Sequence, residues 1–218
     1  MYLTAMSRHF YLLGVFVVVT LPLAGCTKPS AAAKPIEGRQ LYAACKDCHH
    51  KQGIGKAVVA APAIAGLPAW YVEAQLVKFR TGVRGTHPDD PEGLRMQAMS
   101  RQLRNEGEMR RVAAYIATLK RPELPRTVQG DATAGKAAYA TCVPCHGAKG
   151  EGNEALKSPP IVGQSDWYLL TQLRNFKNGW RGADPRDTFG AQMRPMAMTL
   201  ADDKAMKDVI AYISTLSP

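Results

Sequence analysis

Aromatic residues are scarce in this 218-residue chain, at 7%, and acids are outnumbered, 18 Asp and Glu against 28 Lys and Arg, for a formal charge of +10. No apolar run reaches the ~20 residues that a membrane-spanning helix needs. No segment alternates apolar and polar residues convincingly, so a sheet protein is not indicated. Cysteines are few and odd in number, five, so at least one has a task other than pairing within the chain. The 46% hydrophobic content with mixed charge excludes wholesale disorder and collagen-like sequence. The length suits one large or two small domains. The positive surplus fits acidic proteins, anionic lipid or nucleic acid without choosing among them.

The first 25 residues read as an export signal: Arg8 and His9, an apolar stretch from Phe10 to Thr20, then small residues after Pro22. Leu23-Ala24-Gly25-Cys26 resembles the bacterial lipobox, in which cleavage before the Cys leaves it acylated. Residues 26–34 are then an acylated Cys and a flexible tether, the Pro-, Ala- and Lys-rich TKPSAAAKPI segment having no core pattern. An ordinary signal peptide or an uncleaved anchor is the alternative. Export places the remaining four thiols in an oxidising compartment.

A gapless repeat organises the rest. Cys45-Lys46-Asp47-Cys48-His49 recurs as Cys142-Val143-Pro144-Cys145-His146, an offset of 97 that also superposes Pro62 on Pro159, Gln75 on Gln172 and Arg84 on Arg181. Trp70-Tyr71 likewise falls on Trp167-Tyr168, and Met96 and Met99 on Met193 and Met196. About thirty of some eighty aligned positions are identical, which marks tandem domains rather than a solenoid. The expected boundaries are 35–121 and 131–218, with a short, stiff linker at 122–130 around Pro122 and Pro125. Each half reads as helix: one starting over 38–44, one over 69–80, and one over 105–119 with Met109, Val112, Ala113, Ile116 and Leu119 on one stripe.

Cys-x-x-Cys-His is the attachment signature of c-type haem. At the end of a helical turn, Cys45 and Cys48, or Cys142 and Cys145, can form thioethers with two vinyl groups, while His49 or His146 supplies the proximal nitrogen to iron. A thioredoxin-like pair lacks its βαβ context, a shared zinc site must bridge the 97-residue separation, and a disulfide within either pair is geometrically tight. Two covalently bound haem c groups therefore account for four thiols, and the lipid for the fifth.

With these motifs, Pro-x-Ile-x-Gly after each, and Met-x-x-Met-x-x-x-Leu before a Tyr-containing last helix, the chain resembles a dihaem class I cytochrome c of the cytochrome c4 type from about residue 35 to the end. The resemblance implies an all-α fold of two tandem domains, each wrapped around one haem. It implies Met96 and Met193 as the second axial ligands, each 47 residues after its His; Met99 and Met196 are the substitutes. It also implies that the carbonyls of Pro62 and Pro159 fix the proximal rings. Arg84 and Arg181 have the fork that suits haem propionates, with a solvated loop position as the equal alternative. His50 and His87 have no repeat partners and read as loop residues; Trp70 and Tyr71, with Trp167 and Tyr168, read as core or its edge.

The expected function is single-electron transfer by a carrier rather than an enzyme, lipid-anchored in the periplasm. A quinol-oxidising complex or dehydrogenase would be the donor and a terminal oxidase or reductase the acceptor, with no nucleic acid involved. The alternatives are a haem subunit of a dehydrogenase or oxidase complex and a dihaem peroxidase. Residues 27–125 carry 16 basic and 9 acidic side chains and residues 126–218 carry 11 and 9, so the first domain is the more basic.

Overall fold

Side-chain caps and apolar spacing divide the described part of the chain, residues 36–217 of a computed structural model, into helices and connecting loops. The first half contains α1 (Gly38–Leu41), α2 (Lys46–His49), α3 (Ala69–Arg80), α4 (Pro91–Ser100) and α5 (Glu106–Thr118). The second repeats them as α6 (Ala132–Tyr139), α7 (Val143–His146), α8 (Asp166–Lys177), α9 (Thr188–Met198) and α10 (Asp203–Ile213). Asp90, Asn105, Asp131, Asp187 and Asp202 each accept a backbone N–H in the first turn of the helix they precede, satisfying donors that helix geometry leaves free. Outside the helices, two isolated bridges, Lys56 with Ala61 and Asn153 with Ser158, are the nearest approach to strand pairing among the described residues. The signal and tether expected over residues 1–34, Cys26 among them, lie outside the described residues.

Each half has its own core. In the first, the stripe Met109, Val112, Ala113 and Ile116 is fully buried against Tyr42, Val72, Leu76 and Leu103; in the second, Met206, Val209, Ile210 and Ile213 pack on Tyr139, Leu170 and Leu200. The first and last helices of each half cross at a glycine. A Cβ on Gly38 would lie 2.1 Å from the Arg111 carbonyl oxygen, and one on Gly135 1.9 Å from that of Asp208. The tyrosine pairs Tyr42–Tyr115 and Tyr139–Tyr212 pack in tilted contact, with centroids 5.4 and 5.3 Å apart.

The helix expected over 38–44 is divided: α1 stops at Leu41 and a 3-10 turn, Tyr42–Ala44, leads into the Cys motif. The helices α4 and α9, which carry the methionine pairs, have no clear apolar stripe and were not expected. The linker is tied down. Arg121 donates to the carbonyls of Val162 (3.1 Å) and Gly66 (3.0 Å), joining the halves. The Asp166 carboxylate accepts the N–H of Thr127, its hydroxyl at 2.7 Å and the N–H of Val128 at 2.7 Å.

Candidate functional site

Each half encloses an apolar cleft that its own side chains do not close. The first, about 250 Å³, is lined by Cys45, Cys48, His49, Met96, Met99 and Arg84. The second, about 340 Å³, is lined by Cys142, Cys145, His146, Met193, Met196 and Arg181. Protein interiors are otherwise packed with few voids larger than a water molecule, and an apolar cavity costs about 24 cal/mol per Å³. Clefts of this size in domains of this size are places for a guest.

One wall is the Cys motif. The turns α2 and α7 bring two half-buried, free thiols beside a buried imidazole. His49 Nδ1 lies 2.9 Å from the Pro62 carbonyl oxygen and His146 Nδ1 2.9 Å from that of Pro159. A ring that donates from Nδ1 presents its other nitrogen, with a free lone pair, to the cleft. Burial lowers the pKa of both histidines, and the hydrogen bond to proline opposes it only in part, so the neutral, ligating form is favoured. The Tyr42 and Tyr139 hydroxyls brace the same turns by donating to the carbonyls of His50 and Gly147, each at 2.7 Å.

The helices α4 and α9 contribute methionines to the linings. Met96 packs against the first core, whereas Met196 is 41% exposed and Met198 62%. Both members of each methionine pair line their cleft. Among the described residues no three His, Cys, Asp or Glu side chains converge to hold a bare metal ion, so the zinc alternative finds no site.

Arg84 and Arg181 are buried, 5% and 9% exposed, not solvated as one reading of the sequence allowed. They meet across the boundary between the halves. Arg84 donates to Gln75 Oε1 (2.8 Å), Tyr168 Oη (3.0 Å) and Gln172 Oε1 (2.8 Å). Arg181 donates to Gln172 Oε1 (2.7 Å), Gln75 Oε1 (3.2 Å) and Tyr71 Oη (3.4 Å). Each glutamine oxygen thus accepts from both guanidiniums, and each half gives the other what it receives, the pattern of a two-fold contact. The guanidiniums also lie over Phe79 and Phe176, at 4.4 and 4.5 Å. Burial works against the Arg84 charge, but Tyr168, Tyr71 and Asp90 outweigh it and raise its pKa.

This cluster tests the fit of a haem. The hydrogen-bond partners of the two buried cations are neutral oxygens, and the Nε of each is buried without a partner. Buried charge is costly unless paired, and two carboxylates per haem are the complementary groups. Cleft size, the thiol pair, the oriented imidazole, the lining thioethers and the unpartnered guanidinium nitrogens all suit the group.

Tyr71, Gln75, Tyr168 and Gln172 line both clefts; Tyr71 also packs against the edge of the first core, as its reading as core or its edge expected, but the cleft-lining role was not part of that reading. The available signal was the repeat itself, which holds Tyr71 and Gln75 on α3, and Arg84 in the loop after it, identical to their partners. His87, read as a loop residue, stacks on Trp180 of the other half with centroids 5.6 Å apart.

A family model for cytochrome c matches residues 36–120 and again residues 132–217. A thiosulfate dehydrogenase electron acceptor from Stutzerimonas stutzeri is 32% identical over 198 residues, covering 81% of this chain and 88% of its own length. The crystal structure of reduced recombinant cytochrome c4 from Pseudomonas stutzeri superposes with a TM-score of 0.64 at 26% identity, over 83% of this chain and 97% of that one. A thiosulfate dehydrogenase (TsdBA) from Marichromatium purpuratum gives a TM-score of 0.66 at 29% identity over 83% of this chain, which spans 40% of that longer chain.

Proposed function

The chain belongs to the cytochrome c family, with one domain in each half and hence two covalently bound haem c groups, and from that premise we propose that it is a lipid-anchored, cytochrome c4-like carrier of single electrons in the periplasm. The observation that supports this most directly is the pair of like clefts, each lined by two thiols, a carbonyl-oriented imidazole and a pair of methionines. Cys45 with Cys48 and Cys142 with Cys145 would hold the haems through thioethers, and His49 with Met96 and His146 with Met193 would ligate the iron. Bound haem supplies the one-electron ferric–ferrous couple. The protein excludes water with its apolar walls, fixes the imidazole tautomers through Pro62 and Pro159, and offers the Arg84 and Arg181 Nε–H groups to the propionates. A thioether ligand favours the reduced state and raises the potential relative to a second imidazole. Filling both axial positions from the protein leaves substrates no place at iron, which supports a carrier over a peroxidase.

The relatives give a narrower expectation for the donor, a thiosulfate dehydrogenase, over the quinol-oxidising complex that remains the broader possibility. A terminal oxidase or reductase would take the electrons onward. Likeness to part of the longer dehydrogenase chain supports a second reading, that of a dedicated module of such an enzyme. Co-purification from detergent-solubilised membranes separates a bound module from a free carrier.

An optical redox titration of the native protein, Met96→His and Met193→His tests the ligand set. Each substitution should abolish the sulfur-to-iron band at one haem and lower that haem's potential. Unchanged spectra would reject Met96 and Met193 and turn attention to Met99 and Met196.

A further inference from the structure

The two halves differ at one charged contact beside the second cleft. Lys78, near the end of α3 in the first domain, reaches into the second, where its Nζ donates to Asp187 Oδ1 at 2.6 Å. The lysine side chain is 21% exposed and the carboxylate 2%. Asp187 caps α9, the helix that carries Met193, by accepting the Gly190 N–H at 2.8 Å. Lys78, Gly190 and Met193 all line the second cleft.

The repeat places Asn175 at the position of Lys78, and Asp90 at that of Asp187. Asp90 is also buried and caps α4 in the same way, accepting the Gly93 N–H at 3.1 Å. The charge that bears on Asp90 is Arg84 of its own domain, and Arg84 has its repeat equivalent in Arg181. The cation present at one site and missing from the other is therefore Lys78, and it comes from the opposite domain.

We propose that Lys78 is a cross-domain positioning residue for the second haem: by neutralising the buried carboxylate that caps the Met193 helix, it raises that haem's reduction potential above the value its own domain would set. The inference rests on the assignment of Cys142, Cys145, His146 and Met193 to that haem. A buried carboxylate favours the more positive, oxidised iron, and a paired ammonium removes that bias; in a partly buried site such charges are weakly screened. The second domain's redox centre is then complete only when the first domain is docked.

The test is a redox titration of the dihaem protein, with haem content measured for each variant and the second haem's step identified as the one displaced in Met193→His. Lys78→Met should make the second haem harder to reduce by about tenfold in its reduced-to-oxidised ratio, about 59 mV for one electron, with the first haem's step unmoved. Asp187→Asn, which keeps a good capping residue, should shift the same step in the opposite direction. The double variant should return close to the native value, and Lys78→Arg should retain it. Unmoved potentials in Lys78→Met with both haems attached would overturn the proposal. Shifts of the same sign in Lys78→Met and Asp187→Asn would overturn it too, because lost packing rather than charge would explain them. If Met193→His displaces neither step, the ligand assignment falls and the inference falls with it.

Discussion

Single residues decide how closely the chain can fold on itself. Gly135 is the tightest case, because a methyl group there would meet the Asp208 carbonyl at 1.9 Å, and main chain cannot swing aside as a flexible side chain can. Gly135→Ala should therefore destabilise the second domain by about 3 kcal/mol, the upper part of the range for overpacking, and lower its denaturant midpoint. Ala at Gly107 is the contrasting substitution. Its nearest neighbour would be the Asn105 side chain at 3.1 Å, and alanine is the better helix former, so Gly107→Ala should leave the midpoint unchanged or raise it. Gly38 and Gly135 occupy one repeat position, as do Tyr115 and Tyr212. The burial of Arg84 was not legible, because a sequence does not distinguish an arginine facing water from one facing a second domain.

Among the elements, α8 does two jobs. Its face packs the second core through Leu170 and Phe176, and its first residue, Asp166, holds the linker by accepting from Thr127 and Val128. Burial raises the Asp166 pKa, but the hydrogen bonds from Val128, Thr127 and Trp167 outweigh it and bring it below the usual carboxylate range. A depressed folded-state pKa stabilises the fold above the unfolded value of about 3.9, and that contribution is lost as pH falls through the folded value. Asp166→Asn should cost about 2 kcal/mol at pH 7, the scale of a hydrogen bond to a charged group. Its stability should also fall less steeply than the native protein's as pH drops from 5 toward 3, as read from denaturation midpoints. The helices α3 and α5 were legible from apolar spacing to within a residue or so. The helices α4 and α9 were not, since Pro91 opens one and Pro195 lies inside the other, and both pack toward the clefts rather than along a continuous apolar stripe.

For the whole molecule, the crossed Arg84–Gln172 and Arg181–Gln75 contacts make two small domains one body. Replacing both glutamines by alanine removes the oxygens that accept from both guanidiniums, and a hydrogen bond to a charged group contributes about 1.5–3 kcal/mol. Gln75→Ala/Gln172→Ala should uncouple the halves, so that calorimetry records two separate thermal transitions where the native protein shows one. The proposed lipid anchor has its own test. Cys26→Ser should move a red, haem-loaded protein from the membrane to the soluble fraction, because it removes the thiol that acylation would use. No helix among the described residues is long and apolar enough to cross a membrane.

Two tandem domains and a haem-attachment motif in each were readable from the chain alone, because covalent attachment imposes a fixed local spacing that a chain displays openly. Which residues of the two halves meet was settled in three dimensions. Tyr71, Gln75, Lys78 and Arg84 lie about one hundred positions from Tyr168, Gln172, Asp187 and Arg181, and their chemistry depends on two helical surfaces meeting at one angle. Local spacing survives in one dimension; a buried charge and its partner across a domain boundary exist only in three.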